Sequence, residues 1–174
     1  VQDGEPLLIG CDFNVLQQAA TIFVQREDGL HAVDELVDMK DTRDMIDIIL
    51  SRYSNHMIYM YPDASGRNRN PTNAALSDIA LMEQAGFAIR VKKTNPAVRD
   101  RVHAMNAALE QGRVWINANK CKRVAECLEQ QSYRNGEPDK TTGFDHQNDA
   151  TTYVVAYEMP IMRPVSNVRF SFAV

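Results

Sequence analysis

The run Leu7-Leu8-Ile9-Gly10-Cys11-Asp12-Phe13-Asn14 constrains the rest of the chain, because it is short, almost wholly apolar and carries one carboxylate near its end. A run of that length and composition reads as a buried strand. Strand side chains alternate between faces, so Leu7, Ile9, Cys11 and Phe13 point one way and Leu8, Gly10 and Asp12 the other. A carboxylate turned towards a sheet interior is costly unless it is paired, hydrogen-bonded or bound to a metal. Taken alone, Asp12 reads equally well as a turn-bonding residue at the strand mouth. Two further acidic sites change that balance: Asp63, which ends the run from His56 to Pro62, and the cluster Asp145-His146-Gln147-Asn148-Asp149.

The elements around this strand follow a recognisable order. Residues 19–26 read as a second strand, Glu27-Asp28-Gly29 as a hairpin turn, and 31–39 as a third strand, so the chain should open with an antiparallel meander. A helix is expected over 42–53, capped by Asp41 or Thr42, with Met45, Ile46, Ile49, Leu50 and Tyr53 at helical spacing. A short strand over 56–61 leads into the polar loop 64–71. A helix capped near Thr72 or Asn73 should end at Gly86, followed by a strand over 87–91. Pro96 opens a helix with Val98, Val102, Met105 and Leu109 on one stripe, ended by Gly112. Then come a strand over 113–117, a helix near 121–131, a polar stretch over 134–143 that could form a hairpin, and a helix over 145–158. The alternation Val168 to Phe172 could add an edge strand. The sum is an α/β fold, with a mixed sheet (three antiparallel strands, then parallel ones) flanked by helices on both faces.

Composition sets limits on function. With 174 residues the chain has one domain's worth of sequence and enough for a single core. The formal net charge of −4 does not advertise nucleic-acid binding, although a local basic groove and an acidic metal site could coexist with it. Cys11, Cys121 and Cys127 are too few and wrongly spaced for a disulfide framework or a zinc site, which suits a reducing compartment. No apolar run reaches the roughly 18 residues of a membrane span, and no signal peptide is evident. The first residue is Val, and a core strand begins within ten residues, so the chain is expected to be one domain, 1–174, cut from a longer protein.

Three motifs, in order, carry a resemblance that covers nearly the whole chain. They are Gly10-Cys11-Asp12-Phe13-Asn14, then Tyr61-Pro62-Asp63-Ala64-Ser65-Gly66 before a helix, and finally Phe144-Asp145-His146-Gln147-Asn148-Asp149-Ala150-Thr151-Thr152-Tyr153. Together they resemble the nuclease domain of the large terminase subunit of tailed phages, within the ribonuclease H-like superfamily. That fold sets one acid on its first strand, one at the end of its fourth and one on a late helix. Two departures stand out. Asp63 occupies a place often held by Glu, and His146 one often held by a second Asp, which leaves the third ligand open.

The resemblance implies a metal-dependent endonuclease that cuts concatemeric double-stranded viral DNA at the start and end of packaging. Two divalent cations, Mg²⁺ or Mn²⁺, would be held by Asp12, Asp63 and Asp145, with His146 and Asp149 as possible additional ligands. Hard cations take oxygen ligands, and three converging carboxylates without metal would repel one another. Asp149 lies four residues after Asp145, on the same helical face, and could instead orient Lys or His neighbours. Asp145 could equally be a helix N-cap.

Arg67, Arg69 and Lys140 are the basic residues expected to meet DNA phosphates. Lys92-Lys93, Arg99-Arg101 and Lys120-Lys122-Arg123 read mainly as solvated faces. Trp115, Phe87 and the regularly spaced Met and Tyr residues are expected in the core, while His31, His56 and His103 are expected to be structural or exposed. The implied partners are double-stranded DNA, an N-terminal ATPase domain, the terminase small subunit and the portal protein. The implied location is the host cytoplasm, transiently on the procapsid and not in the mature virion. No Gly-x-x-x-x-Gly-Lys-Ser/Thr loop occurs, so the ATPase is not in this sequence. Alternatives are a resolvase- or transposase-type nuclease, an actin- or sugar-kinase-like ATPase lacking the expected Gly-rich phosphate loops, and a non-catalytic docking module of the motor.

Overall fold

The computed structural model describes residues 1–13, 18–67, 77–134 and 137–161. Strands β1 (Leu7–Asp12), β2 (Gln18–Arg26) and β3 (Gly29–Met39) form the expected antiparallel meander. Helix α1 (Thr42–Tyr53) leads to β4 (Ile58–Pro62), which lies parallel to β1. After α2 (Asp78–Gln84), the two-residue β5 (Ala88–Ile89) joins β4 in parallel. Helix α3 (Val98–Glu110) precedes β6 (Val114–Ile116), which pairs in parallel with β3. Helix α4 (Lys122–Gln130), the ribbon β7 (Tyr133–Arg134) and β8 (Glu137–Pro138), and helix α5 (Asp145–Glu158) complete the described chain. The main sheet runs β5-β4-β1-β2-β3-β6.

Local chemistry explains several of these boundaries. The Asp41 carboxylate accepts from the N–H groups of Arg43 and Asp44, both at 2.9 Å, and so satisfies two orphan donors of α1. Gly29 turns the β2–β3 hairpin at φ 141°, where a Cβ would also sit 2.0 Å from the Arg113 carbonyl oxygen. Helix α4 has no side-chain cap of its own. Glu35 on β3 supplies one, accepting from the N–H groups of Arg123 at 2.9 Å and Val124 at 2.8 Å.

The sheet separates two apolar layers, and β1 contributes to both. Leu7, Ile9 and Cys11 face Met45, Ile46 and Ile49 of α1 and Met82 of α2. Leu8 faces the other layer, with Ala104 and Met105 of α3, Val124 of α4 and Tyr153, Val154 and Val155 of α5. The alternation read from the sequence therefore puts Asp12 on the α5 side. Among the described residues no helix is long and apolar enough to cross a membrane.

Some elements differ from expectation. The fourth strand starts two residues later than predicted, and the fifth shrinks to two residues because it is an edge with little left to pair against. Helix α2 is capped by Ser77, whose hydroxyl accepts from Ala80 N–H at 3.2 Å. The earlier start expected near Thr72 or Asn73 falls outside the described residues, as does the strand expected over 168–172. Trp115, expected in the core, is 49 % exposed. In the three-residue edge strand β6, alternation turns Val114 inward and Trp115 outward, where it stacks on His31 with centroids 6.2 Å apart.

Candidate metal centre

The carboxyl ends of β1 and β4 lie side by side, with Asp63 N–H donating to the Cys11 carbonyl at 3.0 Å. This brings the residues that follow the two strands to one mouth of the sheet. Helix α5 crosses β1 there at very close range, and a Cβ on Gly10 would lie 1.9 Å from the Ala150 carbonyl oxygen. Glycine is what lets α5 approach so closely, and the approach delivers the first turn of α5 to Asp12.

Asp12 is 7 % exposed, and His146 Nδ1–H donates to its Oδ2 at 3.0 Å. The same nitrogen is 3.9 Å from Asp145 Oδ2. Burial lifts the Asp12 carboxyl above its ordinary range, although the His146 bond works in the opposite direction. That bond also raises the imidazole above its ordinary value, against partial desolvation. Asp12, His146 and Asp145 therefore form one cluster.

Asp145 is not a capping residue. The N-cap of α5 is Phe144, without a side-chain bond, and Asp145 is the first helical residue, 5 % exposed. Among the described residues, its Oδ1 is buried and has no hydrogen-bond partner. A carboxylate oxygen out of water without a donor is unfavourable unless a cation meets it.

Asp63 is held from three sides. Its Oδ1 accepts from Asn95 Nδ2 at 2.9 Å and from Ser65 N–H at 2.6 Å, and its Oδ2 accepts from the Tyr153 hydroxyl at 2.9 Å. Although desolvation opposes it, these donors hold the carboxyl below its usual range, so Asp63 stays ionised.

Asp149 does not join the cluster as a free carboxylate. Its Oδ1 accepts from Arg101 Nη1 at 2.8 Å. Arg101, expected on a solvated face, is 3 % exposed. It also donates to the Thr152 hydroxyl at 2.9 Å and lies over the Tyr153 ring, 4.5 Å from its centroid. The signal was present in the sequence: position 101 falls three after Val98 and four before Met105, inside the apolar stripe of α3. A charge on such a stripe requires a partner from another element. Arg101→Met should destabilise the fold by about 2–3 kcal/mol in urea unfolding. That lies below the 3–5 typical of a fully buried pair, because Asp149 keeps some access to water.

Arg67 closes a 3₁₀ turn, Ala64–Arg67, directly after Asp63. Its side chain, and all of Arg69, fall outside the described residues. Lys140 is exposed on a second 3₁₀ turn, Lys140–Thr142, between the β7–β8 ribbon and α5. His31 pairs with Asp28 at 2.7 Å, and His56 bonds the Glu5 carbonyl at 2.8 Å, both structural roles. Sequence reasoning did not single out Asn95, which lies in the connection from β5 to α3.

Among the described residues, no group of three or more His, Cys, Asp or Glu side chains stands ready to ligate one ion without rearrangement. Four of the oxygens concerned are already engaged: Asp12 Oδ2 by His146, Asp63 Oδ1 by Asn95 and Ser65, Asp63 Oδ2 by Tyr153, and Asp149 Oδ1 by Arg101. The donor set nonetheless suits a hard divalent cation: carboxylate oxygens predominate, and the Asp145 Oδ1 is buried and unpartnered.

The terminase RNaseH-like domain family matches residues 9–158, and the chain belongs to that family. Among curated proteins, none matches the sequence. Solved structures agree on the fold. The large terminase of a thermophilic bacteriophage is 18 % identical with a TM-score of 0.67, over 90 % of this chain and 41 % of that one. The chain thus spans about two fifths of the length of that relative. The large terminase nuclease domain of bacteriophage SPP1, determined with bound manganese, is 20 % identical with a TM-score of 0.62, over 90 % and 88 %. The large terminase nuclease of the thermophilic phage G20c, determined with bound magnesium, is 13 % identical with a TM-score of 0.59, over 91 % and 85 %. The fold is ribonuclease H-like, a mixed sheet flanked by helices.

Proposed function

We propose that this chain is the endonuclease domain of a phage large terminase, cutting concatemeric double-stranded DNA at the start and end of packaging. The observation that carries the reading is the cluster of Asp12, Asp145 and His146 beside the ionised Asp63, at the mouth where β1 and β4 end. Family membership supports it, as do the manganese and magnesium bound to the SPP1 and G20c nucleases.

Asp12, Asp63 and Asp145 would together hold two divalent cations, Mg²⁺ or Mn²⁺. Such a pair supplies a nucleophilic water and offsets charge on the attacking and leaving oxygens of a phosphodiester. The chain's own groups prepare the site. Asp63 arrives ionised and oriented by its three donors. Asp145 offers an oxygen with no competing partner. His146 holds Asp12 through Oδ2, and would serve as a further ligand or as a contact to water or phosphate. Asp149 serves at one remove, through Arg101 and Tyr153.

Arg67, Arg69 and Lys140 would engage DNA phosphates around this mouth. The domain would be the carboxyl-terminal part of a longer protein, with an ATPase domain before it. It would work with the small subunit and the portal in the host cytoplasm, transiently on the procapsid.

The test is supercoiled plasmid incubated with the purified domain and Mg²⁺ or Mn²⁺, with and without chelator, beside a nucleotide-hydrolysis control. Cleavage that needs the metal, without nucleotide hydrolysis, is the expected result. Intact plasmid at every metal concentration would defeat the proposal.

A further inference from the structure

Asn95 lies in the connection between β5 and α3, outside all three acidic motifs, yet its side chain reaches into the metal site. Its Nδ2 donates to Asp63 Oδ1 at 2.9 Å and approaches the Tyr153 hydroxyl at 3.4 Å. Its Oδ1 accepts from the Ala64 N–H at 2.7 Å. One amide therefore grips both the Asp63 side chain and the backbone directly after it. The side chain is half-buried. Its role is in its hydrogen bonds.

The connection that carries it is stiff. Pro96 follows, and a residue before proline is confined to extended conformations. Pro96 also has its own φ locked on the approach to α3. Earlier in the same connection, the backbone N–H of Lys92 donates to the Tyr157 hydroxyl of α5 at 3.0 Å. The segment is thus fastened to α5 at one point and to Asp63 at another.

A carboxylate free to rotate about its terminal torsion would sample many orientations, because that torsion is broad. Asn95 and Tyr153 hold one oxygen each, and Ser65 N–H adds a second bond to Oδ1.

We propose that Asn95 is a positioning residue for the metal centre, fixing the rotation of the Asp63 carboxylate so that the remaining lone pair of Oδ2 meets the cation. This rests on the reading of Asp63 as a metal ligand. Outer partners that orient a ligand typically contribute roughly 10–100-fold to metal affinity.

The experiment is a Mn²⁺ titration of the whole chain, following the free-ion paramagnetic resonance signal, for the parent protein, Asn95→Ala, Asn95→Leu and Asp63→Ala. The near-isosteric leucine keeps the segment filled should alanine loosen it, and the thermal midpoint of each metal-free protein is recorded. Both Asn95 variants should bind Mn²⁺ about 10-fold or more weakly, with metal-free midpoints close to the parent's. In plasmid cleavage, the half-saturating metal concentration should rise, while turnover at saturating metal and the KM for DNA hold. If both Asn95 variants bind Mn²⁺ like the parent while Asp63→Ala loses binding, the positioning role is overturned and the metal site stands. If Asp63→Ala also binds like the parent, the ligand assignment of Asp63 falls and takes this proposal with it.

Discussion

Asp12→Asn should leave plasmid DNA uncut in Mg²⁺ or Mn²⁺, while the protein folds as before. The substitution keeps the shape of the side chain and an acceptor for His146 Nδ1–H, so β1 and the first turn of α5 stay in register. What it removes is a negative oxygen from the proposed cation site. The loss should be at least about 1,000-fold in rate, which is roughly 4 kcal/mol of transition-state stabilisation and within what bound metal ions supply. Stability should move the other way or not at all. The Asp12 carboxyl is held above its ordinary range by burial, so its ionised form is disfavoured in the folded state at neutral pH. A folded-state value raised in this way makes stability fall as pH rises through the unfolded and then the folded value. A neutral amide relieves that penalty and gives up the charge-assisted bond to His146, and the two changes nearly offset. The unfolding midpoint of the metal-free variant should equal the parent's or slightly exceed it. Cleavage retained in this variant would remove Asp12 from the site.

Gly10→Ala should produce a large loss of stability for the addition of a single methyl. The added carbon would lie 1.9 Å from the Ala150 carbonyl oxygen and 3.0 Å from a methyl of Val154, and the nearer contact is backbone. No rotamer change relieves it. Helix α5 must withdraw from β1, opening a layer packed with Tyr153, Val154 and Val155. Overpacking costs typically reach about 3 kcal/mol, and a domain of this size then melts roughly 6–12 °C lower. The same withdrawal draws Asp145 and His146 away from Asp12, so cleavage should fall further than the remaining folded fraction accounts for. A midpoint unchanged within error would mean that α5 does not cross β1 as closely as described.

How much of this was legible beforehand depended on whether the signal was local. The alternation in β1 alone put Asp12 on the face opposite Ile9 and Cys11, which is the face that meets α5. The hairpin at Asp28-Gly29 and the start of α1 were equally plain, because capping and turn chemistry lie within a few residues. Edge strands were harder. Alternation over three residues cannot say which face is covered, so Trp115 was assigned to a core that does not extend over it. The partners of the acids were harder still. Nothing near Asn95 in the sequence points to Asp63, since the contact depends on how a connection between β5 and α3 lies against the end of β4. Arg101 was an intermediate case: its place on an apolar stripe marked it as paired, but its partner, Asp149, is known only from the packing of α3 on α5.

The central claim is that the acids at the ends of β1 and β4 and at the start of α5 hold divalent ions together. The most direct measurement is the anomalous difference density of a crystal soaked in MnCl₂. Manganese is expected within coordinating distance of Asp12, with Asp63 and Asp145 as ligands and the His146 imidazole displaced from Asp12 Oδ2. Manganese bound elsewhere, or bound there without Asp12, would contradict that claim.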